Sequence, residues 1–185
     1  MRDTDSSGSV PSEPSAERSD ATDGQTTPAV EVQGLEKIYN DEILAVDGID
    51  FTVDKGDFCV IIGPSGCGKS TTLHSLIGTV EPTDGRIFID GTDVTDVPTY
   101  KREIGLVFQD FQLFPHLSVE ENVRYGLNRL GRKDDEIVEE TMELMNLTES
   151  RSSSTRDLSA GQRQRVALAR SLVLRPKVLL LDEPL

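Results

Sequence analysis

A chain of 185 residues, 36% of them hydrophobic, can bury the core of one domain of about 150 residues beside a tail. Lys+Arg number 19 against 33 Asp+Glu, and the net charge of −14 excludes the cationic footprint that a nucleic-acid backbone needs, so no nucleic-acid partner is expected. Cys59 and Cys67 lack metal-ligand spacing, which excludes a zinc site or a disulfide scaffold and fits a reducing compartment. No apolar run reaches the roughly 18 residues of a membrane span, and the N-terminus lacks a signal-peptide core. Membrane association would therefore go through a partner.

Residues 1–29 are Ser, Thr, Asp, Glu, Gly and Pro with almost nothing apolar, the composition of a disordered acidic tail. The domain is expected over 30–185. Val30 to Gln33 alternates apolar with polar as a half-buried strand does, and Leu35 to Tyr39 continues it. Asn40-Asp41-Glu42 reads as a turn, and Ile43–Val46 and Ile49–Val53 as two short strands separated by Asp47-Gly48. After Asp54-Lys55-Gly56, the apolar run Cys59-Val60-Ile61-Ile62 predicts a strand that feeds Gly63-Pro64-Ser65-Gly66-Cys67-Gly68-Lys69-Ser70, with a helix from Thr71 onward.

Glu81 to Gly85 is a turn, Arg86–Ile89 a strand and Ile104–Phe108 another, ending at Gln109. Ser118 with Glu121 forms a capping box for a helix carrying Val119, Val123, Leu127 and Leu130. Asp134-Asp135-Glu136 starts the next helix. Leu158-Ser159-Ala160-Gly161-Gln162 leads into a helix whose buried side is Val166, Leu168, Ala169, Leu172 and Val173. Val178–Leu181 is the continuous apolar run of a fully buried parallel strand, ending in Asp182-Glu183. The fold class is α/β: a P-loop NTPase core with a parallel sheet, an antiparallel β-layer on the N-terminal side, and an all-helical insert over about 112–160.

The chemistry follows from the loop. Its glycines let successive N–H groups point at phosphate oxygens, and the helix start adds a positive end. Gly63, Pro64, Ser65, Gly66, Cys67, Gly68, Lys69, Ser70 and Thr71 are the candidate ATP contacts, with Lys69 on the β- and γ-phosphates and the Ser70 hydroxyl on Mg²⁺. Asp182 at a strand tip can complete the Mg²⁺ shell, and Glu183 can polarise a water for attack on the γ-phosphate. His74 and His116 read as packing or surface groups.

With the phosphate loop, Leu158-Ser159-Ala160-Gly161-Gln162 and the Asp182-Glu183 strand end in this order, the chain resembles the ATP-binding cassette (ABC) ATPases from Val30 to Leu185. The resemblance implies that Tyr39 stacks on adenine and that Gln109 senses the γ-phosphate and Mg²⁺ in catalysis. It implies two cassettes sandwiching ATP, with Ser159, Ala160, Gly161 and Gln162 of one subunit contacting the nucleotide of the other. Phe111 to His116 fits the surface that receives a coupling helix of a transmembrane permease subunit. The stretch Gln109 to Val123 resembles importers of polyamines, ferric ion, thiamine, sulfate or sugars. An extracellular solute-binding protein and a place on the cytoplasmic face of the membrane are then implied. The alternatives are an efflux or lipoprotein-release cassette, a soluble ABC ATPase, or a binding module.

The family carries an aspartate loop and a γ-phosphate-contacting histidine past the Asp-Glu pair, and this sequence ends at Leu185. The strand bearing that histidine lies between the phosphate-loop strand and the Val178–Leu181 strand. The expectation is a fragment with two apolar strands lacking a common neighbour, poorly stable and close to inactive alone.

Overall fold

The computed structural model describes residues 27–182; most of the expected acidic tail, and Glu183 with the two residues after it, lie outside the described residues. The first element, β1 (Val30–Tyr39), turns directly into β2 (Ile43–Val53). Asn40 and Asp41 make the turn with positive φ of 52° and 59°, which their short polar side chains tolerate. Val30 and Val32 face inward as the alternation predicts. A bulge then moves the register from Val32↔Phe51 to Leu35↔Ile49, so Leu35 is the next residue to be fully buried.

The reading of Ile43–Val46 and Ile49–Val53 as separate strands is corrected. They form one strand, and Asp47-Gly48 is a second bulge, between Leu35↔Ile49 and Lys37↔Val46. A two-residue polar break looks the same in sequence whether it ends a strand or bulges it; the continuous pairing with β1 decides.

Helix α1 (Lys69–Ile77) follows the phosphate loop. Then come β3 (Asp84–Ile89) and β4 (Thr92–Asp93), joined by a tight turn at Asp90-Gly91. The four strands make one antiparallel sheet in the order β2-β1-β3-β4. Its inner face, with Leu76 and Ile77 of α1, forms one hydrophobic core. This is the antiparallel layer expected on the N-terminal side.

β5 (Ile104–Val107) and β6 (Val178–Leu181) pair in parallel, with Ile104 opposite Val178 and Val107 opposite Leu181. β6 is less covered than a fully buried strand: Leu180 alone is buried, and its neighbours are half-buried. The run Cys59–Ile62 also departs from expectation. It joins no ladder, and Phe58 is 83% and Ile62 88% exposed. Strand geometry needs hydrogen bonds from a neighbour, and among the described residues no strand runs beside this segment or along the second edge of β6.

α2 (Val119–Arg129), α3 (Asp135–Leu144) and α4 (Ala160–Leu172) build a second core from Val119, Val123, Leu127, Val138, Met142 and Val166 with their neighbours. On α4 the buried residues are Val166, Ala167, Ala169 and Ser171, with Leu168 and Leu172 half-buried. The helix packs against α2 on one side and β5 on the other, so small residues are covered where sequence periodicity favoured the leucines.

The expected capping box at α2 is present. The Ser118 hydroxyl accepts from the Glu121 N–H at 3.2 Å, and the Glu121 carboxylate accepts from the Ser118 N–H at 2.7 Å. That bond to the Ser118 backbone holds the Glu121 carboxyl below the usual glutamate range. Its stabilising effect is therefore present above that range and is lost as pH falls through the depressed folded value. Ser118→Ala is expected to lower the unfolding free energy by about 1 kcal/mol in chemical denaturation. Glu121→Gln should flatten the acid limb of the stability–pH curve measured on the same protein.

Candidate nucleotide site

The loop between residue 62 and α1 is closed by its own backbone, with the Cys67 N–H donating to the Pro64 carbonyl at 3.4 Å. A Cβ at Gly63 would come within 2.6 Å of the Cys67 sulfur. Gly68 has φ of 96° and stands against the Ala45 carbonyl of β2, where a Cβ would overlap that oxygen. Only glycine satisfies both demands at Gly68. The sheet thereby sets where α1 begins.

What α1 lacks is informative. Its N-cap Gly68 provides no side-chain hydrogen bond, and no acidic residue sits in its first turn. The other three helices begin with a capping side chain: Ser118, Asp134 and Ser159. The first-turn N–H groups of α1 are thus left for an acceptor from outside the helix. The Lys69 ammonium donates to the Gly63 and Pro64 carbonyls at 3.0 and 2.9 Å, which holds its charge at the loop. Ser70 is exposed and Thr71 half-buried. Thr72 anchors the turn, donating from its backbone N–H at 2.8 Å and its hydroxyl at 3.0 Å to the Gly68 carbonyl. A bare helix start, a cation and a free hydroxyl together suit a phosphate chain.

The far end of α1 is held by a residue the sequence reading missed. Arg102 is 4% exposed and donates to the Ser75 and Leu76 carbonyls at 2.7 and 2.8 Å, and to the Val97 and Thr95 carbonyls at 2.7 and 2.8 Å. Burial pushes its pKa down, against the attraction of Asp96. Gly78 caps the helix with φ of 85°, and a Cβ there would lie 2.5 Å from the guanidinium. No local signal joins Arg102 to a helix some 25 residues earlier; Gly78 after the last apolar residue was the one available clue.

Gln109 is exposed just beyond β5, and half-buried Asp182 follows β6, its N–H donating to the Val107 carbonyl at 3.0 Å. Parallel pairing thus carries Gln109 and Asp182 to the same strand ends. Their amide and carboxylate oxygens, like the Ser70 hydroxyl, are donors of the hard-oxygen type that Mg²⁺ takes. Among the described residues no hydrogen bond joins the phosphate loop to these strand ends. Glu183 lies outside the described residues. Tyr39 stands at the β1–β2 turn, 36% exposed, with the Lys37 ammonium 5.1 Å from its ring centroid.

Ser159 caps α4 in a second capping box. Its hydroxyl accepts from the Gln162 N–H at 3.2 Å, and the Gln162 side-chain oxygen accepts from the Ser159 N–H at 2.9 Å. The Ser159 hydroxyl proton remains available to donate. Ala160 and Gly161 are exposed, and a Cβ at Gly161 would meet nothing within 4 Å. The fold itself does not require glycine there.

The segment after Gln109 is shared between surface and core. Leu113 packs on the helical core, and the Phe114 ring lies 4.2 Å from that of Tyr125. A cavity of about 270 Å³ opens beside it, lined by Asp110, Phe111, Gln112, Pro115, Arg156 and Arg163 among others. Fully buried Asn122 pins the segment, accepting from the Phe114 N–H at 2.9 Å and donating to the Phe114 and Ser118 carbonyls at 3.1 and 2.9 Å. Its place on the same helix stripe as Val119 and Val123 was a legible signal that periodicity alone passed over.

Comparisons with known proteins bear on the family and the fold. A family model described as ABC transporter matches residues 46–185. The spermidine/putrescine import ATP-binding protein PotA of Acidothermus cellulolyticus is 47% identical over 165 residues, covering 86% of this chain and 43% of its own length. The Fe(3+) ions import ATP-binding protein FbpC 1 of Pectobacterium atrosepticum is 45% identical over 159 residues, covering 84% of this chain and 45% of its own. The chain thus spans less than half the length of these curated relatives. Among solved structures, cbiO1 from Clostridium perfringens, part of the ABC transporter complex cbiONQ, matches with a TM-score of 0.77 and 33% identity over 84% of this chain and 65% of its own. A nucleotide-free ATP-binding cassette from an ABC transporter gives a TM-score of 0.75 and 29% identity over 85% and 70%. On the family match and on relatives of this identity, the chain belongs to the ABC transporter family, within its ATPase cassettes.

Proposed function

We propose that this chain is the nucleotide-binding part of an ATP-hydrolysing subunit that energises solute import through a membrane permease. The observation that carries the reading is the contrast between two helix starts. α1 begins bare, beside Lys69, whereas α4 begins with a serine whose hydroxyl is oriented by a capping box and still holds a proton to donate. Both are anion-binding ends, and they belong to the two different cores. Each site gains its second half by pairing of two subunits, the signature residues Ser159 to Gln162 of one facing the phosphate loop of the other. The open space at Gly161 fits this, because it leaves the helix start accessible to an approaching partner.

In that arrangement Lys69 and the first-turn N–H groups of α1 hold the phosphates, and Tyr39 offers its ring to the adenine. Mg²⁺, when bound, supplies positive charge for the phosphate oxygens, with Ser70, Gln109 and Asp182 as its holders. Glu183, next to Asp182 in sequence, is the proposed group that draws a proton from the attacking water. The permease helix would seat at the cavity beside Phe111 to Pro115, close to Gln109. Polyamine or ferric-ion import is the substrate class that the similar proteins support. A secreted solute-binding protein would complete the complex, and the cassette would sit at the cytoplasmic face of the membrane through the permease.

Two substitutions in the full-length protein test this. Ser159→Arg should abolish ATP hydrolysis while fluorescent-nucleotide binding to the phosphate loop persists; undiminished hydrolysis would refute the paired site. Gly161→Leu should leave the melting temperature unchanged or raised, since the site is open and glycine weakens helices by roughly 0.5–1 kcal/mol, yet it should prevent nucleotide-dependent pairing in sedimentation. Gly78→Ala should destabilise the protein by more than the ~1–2 kcal/mol of a left-handed alanine alone, because Arg102 must also give way; calorimetry reads this directly.

A further inference from the structure

Phe111 and Gln112 hold two consecutive non-glycine residues at positive φ, 59° and 39°. They lie just past Gln109, in the segment that leads from β5 into the helical core. Left-handed backbone at such residues costs roughly 1 kcal/mol or more apiece and persists only where surrounding groups impose it.

The bend has its own backbone bonds, from the Phe111 N–H to the Phe108 carbonyl at 3.0 Å and from the Gln112 N–H to the Asp110 carbonyl at 2.7 Å, and the side chain that holds it from outside is Arg170 of α4. Its guanidinium donates to the Gln112 carbonyl at 2.8 Å and to the Phe111 carbonyl at 3.0 Å. It also stands 5.4 Å from the centroid of the Phe114 ring. No carboxylate pairs with it among the described residues, and burial pushes its pKa down. The planar fork is thus committed to two adjacent backbone oxygens and one aromatic face, a geometry that a lysine ammonium cannot reproduce. The next residue, Ser171, donates to the Leu106 carbonyl of β5 at 3.1 Å. One turn of α4 therefore grips both the strand that delivers Gln109 and the bend that follows it.

The same helix carries Ser159 at its start, about 16 Å away along the axis at 1.5 Å per residue. α4 is one continuous helix over that length, so its tip and Arg170 share one element. We propose that Arg170 is a positioning residue for Gln109: it clamps the Phe111-Gln112 bend so that the glutamine takes its working orientation only when the signature helix is correctly seated. This rests on the ATP-hydrolysing reading above. Arg170 touches neither phosphate nor water in this role; it acts through the backbone on either side of the bend.

The test uses the full-length protein with its partner subunits. Arg170→Met should leave KM for ATP within about threefold while kcat falls on the order of tenfold or more. Arg170→Lys, which keeps charge but loses the fork, should fall between. Combined with Gln109→Ala, Arg170→Met should add almost nothing to the loss caused by Gln109→Ala alone, because both remove the same contribution. Amide exchange at Phe111 and Gln112 should accelerate about tenfold in Arg170→Met, with exchange in α1 unchanged. Independent, multiplicative losses in the double variant, or unchanged exchange at the bend, would overturn the proposal. If Arg170→Met does not fold, Arg170→Lys decides by the same two comparisons. A parent protein that hydrolyses no ATP would refute the functional reading, and the exchange measurement would still decide whether Arg170 holds the bend.

Discussion

The first turn of α1 carries no side-chain cap, so the helix depends on the rest of the molecule to hold it. A helix start without a cap is unstable unless something else fixes the helix. Here both ends are fixed from outside: Gly68 seats the start on the Ala45 carbonyl, and Arg102 collects the last carbonyls while Gly78 clears room for it. Arg102 brings a positive charge to the negative end of the helix and satisfies carbonyls that would otherwise be stranded. Four short hydrogen bonds offset the desolvation of that guanidinium, and they tie α1 to the segment between β4 and β5. The antiparallel sheet, the helix and the loop are in consequence one mechanical unit that presents N–H groups outward.

The second unit is the three-helix core, and the join between the two has a different character. Besides the packing of α4 on β5 it includes directed polar bonds. Asn122 and Arg170 each hold main-chain groups of the segment that follows Gln109, and Ser171 reaches β5. Apolar packing tolerates sliding, whereas hydrogen bonds of this kind favour discrete positions.

Local signals carried far in this chain. The capping box at Ser118, the helix after the glycine-lysine-serine loop and the alternation of Val30 and Val32 are each decided within a few residues, and each stands in the structure as read. The strand order was partly legible, because early alternating strands pointed to an antiparallel layer. The single strand β2, the two-residue β4 and the coverage of β6 were not, since each depends on what lies alongside.

By itself the sequence determined what is contiguous: where the capped helices start and which family the motifs belong to. Those features rest on backbone conformation and caps, whose energies are local. Only the tertiary structure decided that Cys59–Ile62, expected to lack its neighbour, forms no strand at all, that Arg102 braces α1, and that Arg170 grips the bend beyond Gln109. Each is a contact between residues far apart in the chain. A strand needs a neighbour's hydrogen bonds and a buried guanidinium needs distant carbonyls, so neither leaves a periodic trace along the chain.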